Sequence, residues 1–145
     1  MPALTRRRYP ERQDCWHVYC GDVHVGTIAR RMGCPVDVDQ WEWKCGFYPG
    51  IEPGQHQDAT AVDFDHARAD FEAAWQEILP TLAETDFRKW CDQRDFTAWK
   101  YAMWDAGRKL PTQLPAGRSR CYCGADLTIG GMPDHVRSAH AEMNQ

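Results

Sequence analysis

The 145-residue sequence has no apolar run long enough to cross a membrane and no excess of basic charge. A transmembrane helix needs about 18 or more apolar residues. The arginine-rich start of the chain is not followed by the apolar segment of a secretory signal. A formal net charge of −4 argues against a strong non-specific DNA binder. These absences predict a cytoplasmic protein that does not contact a membrane.

The sequence also lacks several signatures of catalysis. It contains no glycine-rich phosphate-binding loop, no HExxH and no GxSxG. Its seven cysteines are an odd number, which does not suit a disulfide framework, and cytosolic thiols stay reduced. We therefore expect the cysteines to be buried or bound to metal.

An alternating pattern in the first half of the chain predicts a β-sheet. Gly21 and Asp22 separate the runs CWHVYC and VHVGTI, which predicts a hairpin. A two-residue turn would give three cross-strand pairs: Cys20 with Val23, Val18 with Val25, and Trp16 with Thr27. WEWKC predicts a third strand and ATAV a short fourth. The sheet is therefore expected to be antiparallel, with three to four strands.

Helical periodicity follows the strands. The segment DFDHARADFEAAWQEILPTL places apolar residues at helical spacing after a capping Asp63 or Asp65. A second, longer helix is predicted over ETDFRKWCDQRDFTAWKYAMWDAG, ending at Gly107. The predicted fold class is α+β: a sheet packed on one helix, a second long helix, and a small C-terminal knuckle.

Composition divides the chain into four predicted segments. Residues 1–13 form a basic N-terminal arm, residues 14–106 the α+β body, residues 107–120 a linker rich in proline and glycine, and residues 121–145 a small module. The body resembles small uncharacterised bacterial proteins with the same β-then-α layout. That resemblance implies a fold and no activity.

The module has the residue spacing of a metal site. Within CYCGADLTIGGMPDHVRSAH, Cys121 and Cys123 precede His135 and His140. A tetrahedral zinc ion takes four thiolate or imidazole ligands, commonly two from a tight turn and two from one helix. Gly124 suits the turn and Pro133 suits the first turn of the helix. These four residues are the predicted zinc ligands.

The same stretch resembles a two-cysteine, two-histidine zinc finger over about the last 25 residues. Leu127 and Met132 fall where that family places its small apolar core. The cysteines are one residue closer than in the family and the following loop is one residue shorter, so the knuckle must be tighter. The positions that read DNA bases in such fingers fall on Thr128, Gly131 and Asp134, which argues against recognition of a specific duplex sequence.

Basic and aromatic residues elsewhere suggest a possible contact with a partner. Aromatic and basic side chains on an open sheet face can stack bases and hold phosphates, although a polar sheet face often has this composition without any partner. The candidates lie in the arm, on the non-core sheet face and in the linker: Arg6, Arg7, Arg8, His17, Tyr19, His24, Lys44, Tyr48, Arg118 and Arg120.

Three functional hypotheses remain open from the sequence. The first is a non-enzymatic zinc-binding interaction protein, regulatory in character, that binds a protein partner. The second is a nucleic-acid-binding protein that uses the basic arm, the linker and the sheet face. The third is a small enzyme with a thiol or zinc centre, since Cys15 and His17 share a strand face. Four protein ligands close a zinc site, which disfavours the zinc enzyme.

Overall fold

The structure is a computed structural model that describes residues 3–141. The chain forms two compact units, Met1–Trp90 and Cys91–Gln145. The first unit contains an antiparallel sheet and a helix packed on it. The second contains most of a long helix, a two-stranded hairpin and a short helix.

The sheet of the first unit has five strands, arranged in chain order and each antiparallel to the next. They are β1 (Leu4–Arg8), β2 (Cys15–Cys20), β3 (Val23–Arg30), β4 (Trp41–Cys45) and β5 (Gln57–Ala61). The predicted α+β class is confirmed, with one strand more than the predicted range.

The additional strand is β1, which lies within the segment that the sequence predicts as a basic arm. Three consecutive arginines hide the strand signal because they mask any apolar alternation. In the structure Arg6 pairs with Val18 and Arg8 with Trp16 across the β1–β2 ladder. The guanidinium groups of Arg6 and Arg8 lie 5.4 and 5.5 Å from the Trp16 ring centre. The arginine side chains therefore cover the Trp16 ring while their charges stay near water.

The β2–β3 hairpin agrees with the predicted pairing only next to its turn. Gly21 adopts the left-handed conformation, with φ of 60°, and Cys20 pairs with Val23 as predicted. A bulge between Val18 and Tyr19 then shifts the register, so that Val18 pairs with Gly26 and Trp16 with Ile28. The predicted pairs Val18–Val25 and Trp16–Thr27 are wrong because β3 has one extra residue at the bulge. Beyond it, the β3 side chains point to the face opposite to the predicted one.

This shift determines which β3 residues enter the core. With the predicted pairing Ile28 would lie on the outer face of the sheet, whereas in the structure it is only 2% exposed. Helix α1 (Phe64–Ile78) packs on β3 and β4, and the side chain of Asp63 accepts a hydrogen bond from the backbone N–H of His66 at its N-terminus. The predicted apolar stripe of α1 is buried, as seen at Ala67, Phe71, Ala74, Trp75 and Ile78.

Helix α2 (Glu84–Asp105) contributes to both cores. In the first unit, the Phe87 ring stacks on Phe47 at a centroid distance of 5.2 Å. In the second unit, Trp99 and Met103 are buried. The helix ends at Asp105, two residues before Gly107, whose φ of 70° is the left-handed stop expected from the sequence. None of the helices within residues 3–141 is long and apolar enough to cross a membrane.

The rest of the second unit is a hairpin and a helix. Strands β6 (Arg118–Arg120) and β7 (Asp126–Thr128) pair with each other, and helix α3 (Met132–Ala139) follows. Strand β6 lies at the end of the segment predicted as a linker. The apolar core of the unit combines residues from α2, the hairpin and α3, namely Trp99, Met103, Cys121, Leu127, Met132 and Val136.

Candidate metal centre

The two cysteines lie on the turn that joins β6 to β7. The backbone N–H of Cys121 donates to the carbonyl of Ala125 at 2.8 Å, and that of Gly124 donates to the carbonyl of Cys121 at 2.9 Å. Gly124 has a φ of 94°, a conformation that side chains disfavour. The glycine therefore permits a turn tight enough to bring two thiols separated by one residue to the same side.

The two histidines lie at the end of α3. Residues five apart on an ideal helix point about 140° away from each other. His135 lies within the helix, whereas His140 is its C-cap, with φ of −130° and ψ of 15°. The backbone N–H of His140 still donates to the carbonyl of Val136 at 2.9 Å. This departure from helical geometry at the last residue lets both imidazole rings reach the same point.

The four predicted ligands converge. Their ligand atoms all lie within 4.8 Å of one another. Cys121 Sγ lies 3.4 Å from His140 Nε2, and Cys123 Sγ lies 3.6 Å from His135 Nε2. The two histidine Nε2 atoms are 3.1 Å apart. The group could hold a metal ion. Cys121 and His140 are buried and form its interior side, whereas Cys123 is exposed.

Two further side chains contact the ligands from outside the group. The indole N–H of Trp99 donates to Cys121 Sγ at 3.3 Å, and both residues are fully buried. The Tyr122 hydroxyl lies 3.1 Å from His140 Nδ1, the nitrogen that faces away from the other ligands. Such contacts orient metal ligands and fix the imidazole tautomer. Neither residue is among the four ligands predicted from the sequence.

The sequence offers a clue to Tyr122 but none to Trp99. Tyr122 stands between the two cysteines, so its position in the sequence could have suggested it. Trp99 is 22 residues before Cys121 and belongs to α2, which the sequence placed in the body. No local pattern connects it to the cysteine turn, because only the packing of α2 against the hairpin brings them together.

Burial changes the titration of two groups at the site. The pKa of His140 is lowered, first by burial and then by the neighbouring His135. The pKa of the Tyr122 hydroxyl is raised by burial and by the Cys121 and Cys123 thiols. Both shifts favour the neutral forms, and a neutral imidazole is the form that binds a metal.

The apolar residues expected beside the site are also in place. Leu127 and Met132 are 2% and 7% exposed and belong to the same core as Trp99. The knuckle therefore packs on residues of α2 rather than standing on its own. A finger of this size has little core of its own, so the α2 side chains supply much of the apolar area that surrounds the site.

The ten candidate partner-binding residues fall in separate places. One cross-strand row on the outer face of the sheet contains Arg7, His17 and Lys44, with Thr27 between the last two. Tyr19 pairs with His24 on the same face. Arg6 and Arg8 lie on the opposite face. Tyr48 follows β4 and is exposed. Arg118 and Arg120 lie on β6 in the second unit, where Arg120 pairs with Asp126 at 3.4 Å.

The aromatic rings of the outer sheet face pack on one another. His17 stacks on Tyr9 and on His24 at centroid distances of 4.8 and 4.4 Å, and Arg7 lies 4.3 Å over Tyr19. His24 Nε2 is buried without a hydrogen-bond partner among residues 3–141. Burial and then the His17 ring lower the pKa of His24. Because these ring faces are used within the sheet, fewer are open to a nucleic-acid base.

Two thiols of the sheet, those of Cys20 and Cys45, are poor nucleophiles. Burial raises the pKa of Cys45 to about 12 and also raises that of Cys20. A reactive cysteine needs a lowered pKa and partial exposure, whereas both of these side chains are at most 4% exposed. This environment gives no support to a catalytic thiol at either position.

Comparison of the chain with protein-family models, with curated proteins and with solved structures gives no match. The resemblance of the body to bacterial proteins therefore stays a prediction, and function is inferred from the geometry of the candidate metal centre.

Proposed function

We propose that this protein is a non-enzymatic binding protein whose C-terminal unit is stabilised by one structural zinc ion. The observation that carries the proposal is the convergence of Cys121, Cys123, His135 and His140 on one point. Their side chains would bind zinc through two thiolates and two Nε2 atoms. This is one of the common donor sets of structural zinc sites.

Three of the distances between ligand atoms are close to those of a tetrahedral zinc shell. Bond lengths of about 2.3 Å to sulfur and about 2.0–2.1 Å to nitrogen give ligand separations of about 3.6 Å for a sulfur–nitrogen pair and about 3.4 Å for two nitrogens. The corresponding distances here are 3.4 and 3.6 Å for the two sulfur–nitrogen pairs and 3.1 Å for the nitrogen pair. For these three pairs the distances differ from the tetrahedral values by no more than a few tenths of an ångström, and all four ligand atoms lie within 4.8 Å of one another.

Four protein ligands leave no open position for water or substrate. A catalytic zinc keeps such a position, because its chemistry occurs on the bound water or substrate. The closed donor set therefore supports a structural role. Zinc bound in this way would stabilise the fold of the second unit, since a preformed set of ligands does not exist in the unfolded chain.

Metal analysis of the purified chain tests this proposal. We expect about one zinc per chain, lost in Cys121→Ser and His140→Asn, because three remaining ligands leave the shell incomplete. Cys34→Ser and His66→Asn are matched controls outside the group and should keep the metal. Stoichiometric zinc retained in both ligand variants would refute the assignment.

Chelation provides a second readout that does not depend on mutation. Removing zinc should disorder the core around Trp99, Leu127 and Val136 in the second unit. Amide resonances of residues 91–141 should lose dispersion, and added zinc should restore them. A spectrum that does not change on chelation would show that the unit folds without an ion.

A further inference from the structure

The end of α2 carries an exposed surface that the metal centre does not use. Thr97, Lys100, Tyr101 and Trp104 line an open depression of about 470 Å³. Tyr101 and Trp104 are 69% and 74% exposed, although they are large aromatic residues. Their spacing of three places them side by side on one helix face. We call these four residues the α2 surface.

The rings of the α2 surface differ from those of the sheet. No ring contact among residues 3–141 involves Tyr101 or Trp104. Tyr19 and His24, by contrast, already contact each other on the outer sheet face. Tyr101 and Trp104 therefore offer open ring faces, and neither is among the partner-binding residues predicted from the sequence.

Cationic groups flank these rings. Lys100 precedes Tyr101, and its Nζ lies 5.4 Å from the centre of the Phe96 ring. Arg108 and Lys109 follow the helix, and the backbone N–H of Arg108 donates to the carbonyl of Met103 at 2.9 Å, which keeps it beside the last turn. In the described part of the chain, none of the three forms an ion pair. Asp105 is the only carboxylate between Lys100 and Lys109, so cations prevail in this stretch of a chain that is acidic as a whole.

We propose that the α2 surface binds single-stranded nucleic acid. Unpaired bases would stack on Tyr101 and Trp104, while Lys100 and Arg108 contact phosphates. Proteins that bind single strands combine stacking rings with a basic surface in this way. Duplex bases are already stacked on one another and do not offer their faces to a side chain. Unpaired cations next to open rings favour a polyanion over a protein partner.

This inference rests on the proposed function in one respect. Trp99 and Met103, on another side of the same helix, are held in the core beside the metal ligands. Zinc would therefore keep the end of α2 ordered without contacting the nucleic acid. Zinc content and nucleic-acid binding can be measured separately, so failure of one proposal is distinguishable from failure of the other.

The test is a fluorescence-anisotropy titration of the full zinc-loaded chain with a labelled oligo(dT) of about 20 nucleotides. We expect binding at about 50 mM salt that weakens steeply toward about 200 mM. Trp104→Ala should weaken it about 5- to 100-fold, as loss of one base stack does, whereas Trp104→Phe should retain most of the affinity. Lys100→Gln should reduce the salt slope by about one phosphate contact. All variants should keep wild-type zinc content.

Four outcomes would overturn the inference. If the chain does not bind the oligonucleotide even at low salt, the α2 surface would be reassigned to a protein partner. Equal affinity of Trp104→Ala and wild type would show that no base stacks there. Equal binding of a duplex of the same length would indicate phosphate contacts alone. Loss of binding in Tyr48→Ala, with Trp104→Ala unaffected, would move the site to the first unit.

Discussion

The indole N–H of Trp99 donates a hydrogen bond to the sulfur of Cys121 across 3.3 Å, and both side chains are fully buried. A donor aimed at this sulfur stabilises the thiolate, which is the form that binds a metal. Trp99 belongs to α2, so this contact connects the long helix to the proposed zinc centre. An apolar residue such as phenylalanine at this position would lack the N–H donor.

Replacing Trp99 by Phe should weaken metal binding while keeping a ring in the core. We expect about a 10-fold lower zinc affinity, the lower end of the effect of losing a contact to a metal ligand. A competition titration with a chromophoric chelator measures it. In the cobalt-substituted chain, the sulfur-to-cobalt charge-transfer band should move to lower energy because the thiolate becomes more electron-rich. Trp104→Phe is the control, and an unchanged band in Trp99→Phe would contradict the role of the N–H.

Replacing Gly26 by Ala should destabilise the first unit. A Cβ at Gly26 would collide with the carbonyl of Lys44 and with Phe71 ring carbons 2.5 and 2.8 Å away. Overpacking of this kind costs about 1–3 kcal/mol in the free energy of unfolding. Urea unfolding measures the loss. Gly54→Ala, where nothing lies within 4 Å, should leave the midpoint nearly unchanged. Similar midpoints for the two variants would show that the strand moves to accept the methyl group.

The N-terminus of α1 should stabilise the fold within a defined pH window. Hydrogen bonds from the backbone N–H and then the ring of His66 lower the pKa of Asp63 from 3.8, and the Asp63 carboxylate raises the pKa of His66 from 6.5. The Asp63 carboxylate contributes to the free energy of unfolding above its ordinary pKa, and this contribution is lost as the pH falls through the lowered pKa. The protonated His66 ring contributes to the free energy of unfolding below its ordinary pKa, and this contribution is lost as the pH rises through the raised pKa.

The interaction should therefore be strongest between about pH 4 and about pH 6.5. His66→Ala should lower the urea midpoint at about pH 5.5 more than at about pH 8.5. The comparison of variant with wild type at each pH removes the contribution of other titrating groups. A difference that is the same at both values would show that the His66 charge contributes nothing.

Thiol labelling should separate the cysteines into two classes. Cys20 and Cys45 should resist alkylation at about pH 8, because burial raises the pKa of both thiols and the thiolate is the reactive form. Cys123 is exposed and should be protected only while zinc is bound. Mass spectrometry of the alkylated chain before and after chelation measures both. Labelling of Cys123 at the same rate in the two samples would contradict its role as a ligand.

The sequence could predict the local features of both units. The α1 stripe is buried as its spacing indicates, and Gly107 ends α2. The four residues of the candidate metal site could be found together because two short segments, a turn and a helix end, supply them all. Gly124 and Pro133 fix those segments by restricting the backbone, so the signal lies within about 20 residues of sequence.

The features that the sequence could not supply depend on contacts between distant segments. The β2–β3 bulge moves Ile28 into the core, and alternation alone cannot show where an extra residue enters a strand. Strand β1 was missed because its arginines obscure the apolar pattern and only its pairing with β2 makes it a strand.

What the sequence determined by itself was therefore the α+β class, the stop of α2 near Gly107 and the four residues of the candidate metal site, since backbone preference and residue spacing are local properties. Tertiary structure alone decided that Trp99 donates to Cys121, that the rings of the outer sheet face pack on one another, and that Tyr101 and Trp104 remain exposed. These depend on which surfaces are buried together, and burial is a property of the folded chain as a whole.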